Sequence, residues 1–150
     1  MYLSRKFGLA VMISMVAFQA AVSAAPAWMT DLPAAQVQAK KENKLVLINF
    51  TGSDWCGWCK KLQDEVFSTK EFEQYAKHNV VLVEIDFPDK KPQTQQLKTA
   101  NEALQTKLQA EGYPTIVVLN KDGTEVWRQG GYLPGGPAAW IEKLNVAKKK

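Results

Sequence analysis

The chain has 150 residues, 46% hydrophobic and 23% charged, with two cysteines, one histidine and a formal charge of +4. That length suits one domain with a real buried core, and the near-average composition excludes a wholly disordered or fibrous chain. Two cysteines are too few for a disulfide-stapled scaffold or a four-thiolate zinc site, while the positive balance raises the question of an anionic partner.

Arg5 and Lys6 precede an apolar run from Phe7 to Val22, interrupted by Ser14 and Gln19 and closed by the small residues Ser23-Ala24-Ala25. Basic, apolar and small-residue regions in that order read as a secretory signal peptide over residues 1–24, cut after Ala24. An uncleaved membrane anchor is the alternative, against which the short span argues. No cysteine follows the run, so lipoprotein attachment there is excluded. Without residues 1–24 the chain carries 17 Lys and Arg against 15 Asp and Glu, and three of the 17 are Lys148-Lys149-Lys150. The charge is therefore a leader plus a solvated basic tail (148–150) around a near-neutral domain (25–147), and nucleic-acid binding loses its support. The expected location is periplasmic or secreted, with no membrane span after cleavage.

Ala25–Leu32 reads as a Pro-containing lead-in whose Trp28 packs onto the domain. Ala34–Asn43 reads as a helix entered through Pro33. Leu45–Phe50 is a strand-length apolar run suited to the buried centre of a sheet. Thr51-Gly52-Ser53-Asp54 breaks it, and a helix runs from about Cys56 to Val66. Ser68 and Glu71 have capping-box spacing and start a helix through about Lys77. Val80–Ile85 is a second buried-type strand, and Asp86–Pro92 a polar loop. Leu97, Asn101, Leu104 and Leu108 recur on one face of a helix over Thr94–Ala110, with Gly112 as its C-cap. Thr115–Leu119 and Thr124–Arg128 flank the hairpin signal Asn120-Lys121-Asp122-Gly123. Trp140, Ile141 and Leu144 mark a terminal helix. Strands separated by helices and closed by a hairpin predict an α/β domain, a mixed sheet covered by helices on both faces.

The chemistry lies in Cys56-Gly57-Trp58-Cys59. Residues i and i+3 of a first helical turn share one side, so the two sulfurs can reach bonding distance. The first sulfur sits by unsatisfied N–H groups and the positive end of the helix dipole, which favours a thiolate. The second lies on a stripe with Leu62 and Val66 and turns toward the core. One accessible thiol and one buried thiol suit thiol–disulfide exchange. Haem attachment wants a His where Lys60 stands. Zinc would need two further ligands, and the one histidine, His78, falls in a separate helix, so no metal is expected. A purely structural disulfide across so small a loop gains little chain entropy. Trp55 and Trp58 flank the cysteines; they offer an apolar platform for a peptide, and Trp55 equally suits core packing. Trp127 and Trp140 read as core.

The segment Phe50-Thr51-Gly52-Ser53-Asp54-Trp55-Cys56-Gly57-Trp58-Cys59-Lys60 resembles the active site of the thioredoxin superfamily, and more closely that of secreted bacterial thioredoxin-like proteins. Tyr113-Pro114-Thr115 is similar to the family's cis-proline motif, and the resemblance spans roughly Trp28 to Leu144. It implies a thioredoxin-like three-layer fold and a protein thiol–disulfide oxidoreductase. Cys56 would be the nucleophile and Cys59 the resolving thiol. Trp55, Gly57, Trp58, Tyr113 and Pro114 would form the substrate surface, with Pro114 cis. The redox-active disulfide would serve in place of any metal or organic cofactor. The partners would be protein thiols or disulfides and a redox protein that donates or accepts electrons, with reductase the favoured direction. The rival is a binding or chaperone-like module on the same scaffold, its disulfide incidental.

Two departures from the family stand out. Thioredoxins usually carry a buried Asp on the strand before the active site; allowing one extra loop residue, the match here is Asn49, which cannot accept a proton. Deprotonation of the buried thiol must then rely on water, Glu84 or the substrate. The stretch from Asp86 to Pro114 is also longer than in a compact thioredoxin, and its helix is either a partner-specific rim or a stabilising element.

Overall fold

The computed structural model describes residues 24–150; apart from Ala24, the expected leader lies outside them. The order is β1 (Trp28–Met29), α1 (Leu32–Glu42), β2 (Leu45–Thr51), α2 (Gly57–Leu62), α3 (Lys70–Asn79), β3 (Val80–Asp86), α4 (Gln95–Lys107), β4 (Thr115–Leu119), β5 (Glu125–Gly130) and α5 (Gly136–Ala147). A π-helical turn, Gln63–Phe67, continues α2. The five strands form one mixed sheet in the order β1-β3-β2-β4-β5: β1 and β2 run parallel to β3, β4 antiparallel to β2, and β5 antiparallel to β4.

All seven residues of β2 are buried, as befits a central strand covered on both faces. Its side chains alternate between two cores. Leu45 and Leu47 join Leu82, Ile116 and Val118 beneath α2, its π-turn, α3 and α5. Val46, Ile48 and Phe50 join Val81, Val83 and Val117 beneath α1 and the end of α4. This is the three-layer arrangement of a thioredoxin-like fold. Among the described residues, no helix is long and apolar enough to cross a membrane.

Four local expectations are corrected. The lead-in contains strand β1, pairing Trp28 with Leu82 and Met29 with Val83, while the Trp28 ring packs 5.3 Å from Phe67. The helix α1 starts at Leu32 because the Asp31 carboxylate accepts the Ala34 N–H at 2.9 Å. Ser68 does not cap α3. It is the C-cap of the π-turn, and Thr69 is the N-cap of α3, its hydroxyl accepting the Phe72 N–H, so no Glu stands at the capping-box position. Gly112 does not close α4. The helix ends at Lys107 with Leu108 as its cap, Gln109 takes the left-handed conformation (φ 50°), and Gly112 lies in the loop beyond.

The helix α4 is tied into the fold by its polar side chains. The buried Asn101 donates to the Asp86 carbonyl at 2.9 Å, and Gln105 donates to the Ala110 carbonyl and to the Tyr113 hydroxyl at 2.7 Å. Arg128 of β5, paired with Glu125, reaches back to the carbonyls of Leu108 and Gln109. Gln105 and Arg128 thus fasten the loop that leads to Tyr113-Pro114, while Asn101 ties α4 to the end of β3.

Candidate active site

The strand β2 ends at Thr51, and the chain must turn sharply to start α2 six residues later. Gly52 permits the turn. Its carbonyl accepts the N–H groups of Trp55 and Cys56, and the Trp55 indole lies so close above it that a Cβ there would sit 2.4 Å from Trp55 Cε2. The Trp55 Nε1–H donates to the Phe87 carbonyl at 2.7 Å, and the ring meets Tyr113 edge-on at 5.6 Å. Although 49% exposed, Trp55 therefore braces three segments against one another as well as offering apolar surface.

Asp54 fastens the opposite side of the turn. Its carboxylate accepts the backbone N–H groups of Asp89, Lys90 and Lys91 at 2.7–2.9 Å. These bonds, that from Asp89 first, hold its pKa down at about 2 against the opposing effect of desolvation. Ser53 adds two hydrogen bonds to the Asp86 carboxylate. The loop after β3 is thereby laced to the turn that carries the cysteines.

Cys56 is the N-cap of α2. Its extended backbone (φ −80°, ψ 107°) aims the sulfur at the helix start, where Sγ accepts the Cys59 N–H at 3.2 Å. The same donor favours negative charge on that sulfur once the pair is reduced. Cys56 and Cys59 form a disulfide with Cα atoms 5.2 Å apart. The expected contrast between an accessible and a buried cysteine is not present: Cys56 is 7% and Cys59 5% exposed. Two spaces lie at this segment instead. A cleft of about 230 Å³ is lined by Trp58, which stands between the two cysteines in sequence, with Tyr113, Pro114, Gly131 and Tyr132. Cys59 lines a separate cavity of about 440 Å³ together with Thr51, Lys60, Glu84 and Lys91.

The Tyr113–Pro114 peptide bond is cis, as the resemblance implied, and Pro114 is buried in the cleft. Trp58 is 58% exposed. Its ring packs 5.6 Å from Tyr132, and the Lys61 ammonium lies 5.3 Å from the Trp58 ring and 5.0 Å from that of Tyr132. The Tyr132 hydroxyl in turn donates to Glu65, a bond that raises the tyrosine pKa. Gly57 is exposed and has open space where a Cβ would stand. The structure thus gathers Trp58, Tyr113 and Pro114 into one cleft beside the disulfide, with Trp55 braced against Tyr113 and Gly57 at the helix start.

Sequence reasoning missed Tyr132, Lys61 and Phe87. Tyr132 follows Gly130-Gly131, a pair that reads as a plain break. Lys61 of α2 and Glu65 of its π-turn have i,i+4 spacing, the one local signal available. Asn49 is 4% exposed and its Oδ1 has no hydrogen-bond partner. Its cross-strand neighbour is Glu84, whose carboxyl is pushed up by burial and by nearby Asp86, with Lys91 pulling the other way. Among the described residues, no cluster of three or more His, Cys, Asp or Glu is placed to hold a metal ion.

A family profile described as a thioredoxin-like domain matches residues 32–145. The chain is 36% identical over 111 residues to a Chlamydia pneumoniae protein named "Disulfide bond reductase DsbH", covering 74% of this chain and 66% of that one. It is 30% identical to the Pasteurella multocida "Thiol:disulfide interchange protein DsbD", covering 73% of this chain and 18% of that one. The chain therefore spans just under two thirds of the first relative and less than a fifth of the second. A solved structure described as "DsbH Oxidoreductase" superimposes with a TM-score of 0.78 at 31% identity, covering 95% of each chain.

Proposed function

The chain belongs to the thioredoxin-like family, and from that premise we propose that it is a periplasmic or secreted thiol–disulfide oxidoreductase that reduces disulfides in protein substrates. The observation that carries this reading is the Cys56–Cys59 disulfide across the first turn of α2, with an N–H aimed at Cys56 Sγ and an open apolar cleft beside it. The direction, reduction, follows the name borne by the 36%-identical relative.

In the reduced protein, the Cys56 thiolate attacks one sulfur of a substrate disulfide. The substrate's S–S bond breaks, one of its sulfurs leaves as a thiolate, and a mixed disulfide with Cys56 forms. Cys59 then attacks Cys56 Sγ, releases the second substrate thiol and restores the Cys56–Cys59 bond. A redox protein must return two electrons for the next cycle. Trp58, Tyr113, Pro114 and Tyr132 supply the surface on which a substrate segment lies, and cis-Pro114 leaves the Tyr113 backbone beside it. No metal or organic cofactor enters this scheme.

Replacing Cys59 by Ala removes the resolving thiol and should accumulate Cys56-linked mixed disulfides in cells, separable by non-reducing electrophoresis and identified by mass spectrometry. A Cys59→Ala protein that forms none would refute exchange chemistry and leave a binding module with an incidental disulfide. The wild-type potential gives a second check. A value below about −300 mV, typical of structural disulfides, would count against the reading.

A further inference from the structure

Closing the disulfide requires Cys59 to lose a proton, and Cys59 is a buried thiol. Burial disfavours the thiolate at both cysteines, but Cys56 Sγ has the Cys59 N–H aimed at it, so a group able to take the proton matters most at Cys59. The neighbouring polar side chain on the central strand, Asn49, has no acidic form to offer.

The sheet register supplies another candidate. Asn49 on β2 is paired with Glu84 on β3. Two residues earlier on each strand, Leu47 and Leu82 belong to the core that also holds Leu62 and Val66 of the cysteine helix and its π-turn. Side chains alternate along a strand, so Asn49 and Glu84 lie on this same face, beneath the helix that carries Cys59. Cys59 and Glu84 then line one cavity of about 440 Å³, ample for water between them.

We propose that Glu84 accepts the Cys59 proton through this cavity and returns it when the disulfide is reduced again. The inference rests on the exchange reading above. In the oxidative half, the Cys59 thiol passes its proton by way of cavity water to the Glu84 carboxylate. The sulfur's electron pair forms the Cys56–Cys59 bond as the bond from Cys56 to the substrate breaks. The leaving substrate sulfur departs as a thiolate and takes a proton from solvent. The protein dithiol is thus oxidised by two electrons and the substrate disulfide reduced by two.

The surroundings suit a group that must change protonation state. From its own strand Glu84 faces Asp86, which raises its pKa as burial does, and from the following loop it faces Lys91, which lowers it. Lys60 and Asp64, from α2 and its π-turn, complete the charged groups on the cavity wall. Asp64 is solvent-exposed whereas Glu84 is partly buried on the sheet, so Glu84 is the acid whose affinity for a proton the fold has shifted toward that of a thiol.

The test uses the reduced protein and 5,5′-dithiobis(2-nitrobenzoate) in stopped flow. The first thionitrobenzoate release reports attack by Cys56 and scales with reagent concentration. The second reports closure by Cys59 and does not. Glu84→Gln should slow closure about 100-fold at pH 7, the low end of what a positioned base contributes, and should remove the acid limb of its pH profile. Glu84→Asp, which keeps a carboxylate on the same face, should retain that limb, and neither variant should slow the Cys56 step comparably. Closure with the wild-type rate and pH profile in Glu84→Gln overturns the proposal. So does equal slowing in both variants with the profile unchanged, the mark of a structural role. A wild-type protein that never releases the second thionitrobenzoate would instead refute the exchange reading itself.

Discussion

Phe67 offers the sharpest test of how the cysteine helix is held. It ends the π-turn that continues α2 and is 2% exposed. Its ring contacts Trp28 at 5.3 Å, Phe72 at 5.0 Å and Trp140 at 5.5 Å, so it joins β1, α3 and α5 to the helix bearing the redox pair. A buried Phe→Ala change costs about 3–5 kcal/mol from lost transfer energy plus the cavity left behind. The three neighbouring rings belong to three separate elements and cannot easily collapse into the void, which places Phe67→Ala in the upper half of that range, at about 4 kcal/mol. Phe67→Leu, which keeps most of the volume, should cost about 1–2 kcal/mol. Against a total stability of about 5–15 kcal/mol, the Ala variant should be the only one of the two near unfolding. Urea denaturation of the oxidised proteins, followed by tryptophan fluorescence, measures both values. At roughly 4 °C per kcal/mol for a domain of this size, the melting temperature of Phe67→Ala should fall by about 15 °C. A loss below about 2 kcal/mol with an unchanged urea slope would show that the aromatic cluster is not the anchor described.

Three further outcomes are expected. Asp54→Asn should loosen the loop over Asp89–Lys91, seen as faster amide exchange there. The Asp54 pKa is lowered in the folded protein, so its contribution is present above about pH 4 and lost as pH falls toward 2. The difference between Asp54→Asn and wild type should therefore be present at pH 6 and shrink markedly as pH falls through about 2; a difference undiminished at pH 2 contradicts the charge-based account. Gly52→Ala should displace the Trp55 indole, since its Cβ would lie 2.4–2.7 Å from three ring atoms, and the shift should register in near-ultraviolet dichroism and in slower reaction of Cys56. An unchanged spectrum would mean that the turn yields elsewhere. Trp58→Ala should reduce turnover of a protein substrate such as insulin several-fold while leaving reaction with small disulfides near the wild-type rate; equal effects on both would remove Trp58 from the substrate surface.

Much of this protein is determined by interactions that are short-range along the chain. Alternation and apolar continuity mark Leu45–Phe50 and Val80–Ile85 as buried strands, and Asn120–Gly123 marks the hairpin, because pleat and turn geometry depend on a few adjacent residues. The Cys56-Gly57-Trp58-Cys59 pair is equally legible, since a disulfide across one helical turn needs only the local backbone. Asn49 and Glu84 are visible as residues of note, yet only the register between β2 and β3, 35 residues apart, sets them side by side on the face beneath Cys59. Strand β1 is two residues long and exists by pairing with β3, for which no local pattern could vouch. The choice of Thr69 over Ser68 as cap depends on where the π-turn ends. Tyr132 reaches the active cleft because β5 brings Gly131 against Pro114, whose carbonyl accepts the Gly131 N–H at 2.8 Å. Nearly equal burial of the two cysteines is likewise a tertiary result: accessibility depends on everything that folds around a residue, whereas the N–H aimed at Cys56 depends only on the helix that Cys56 begins.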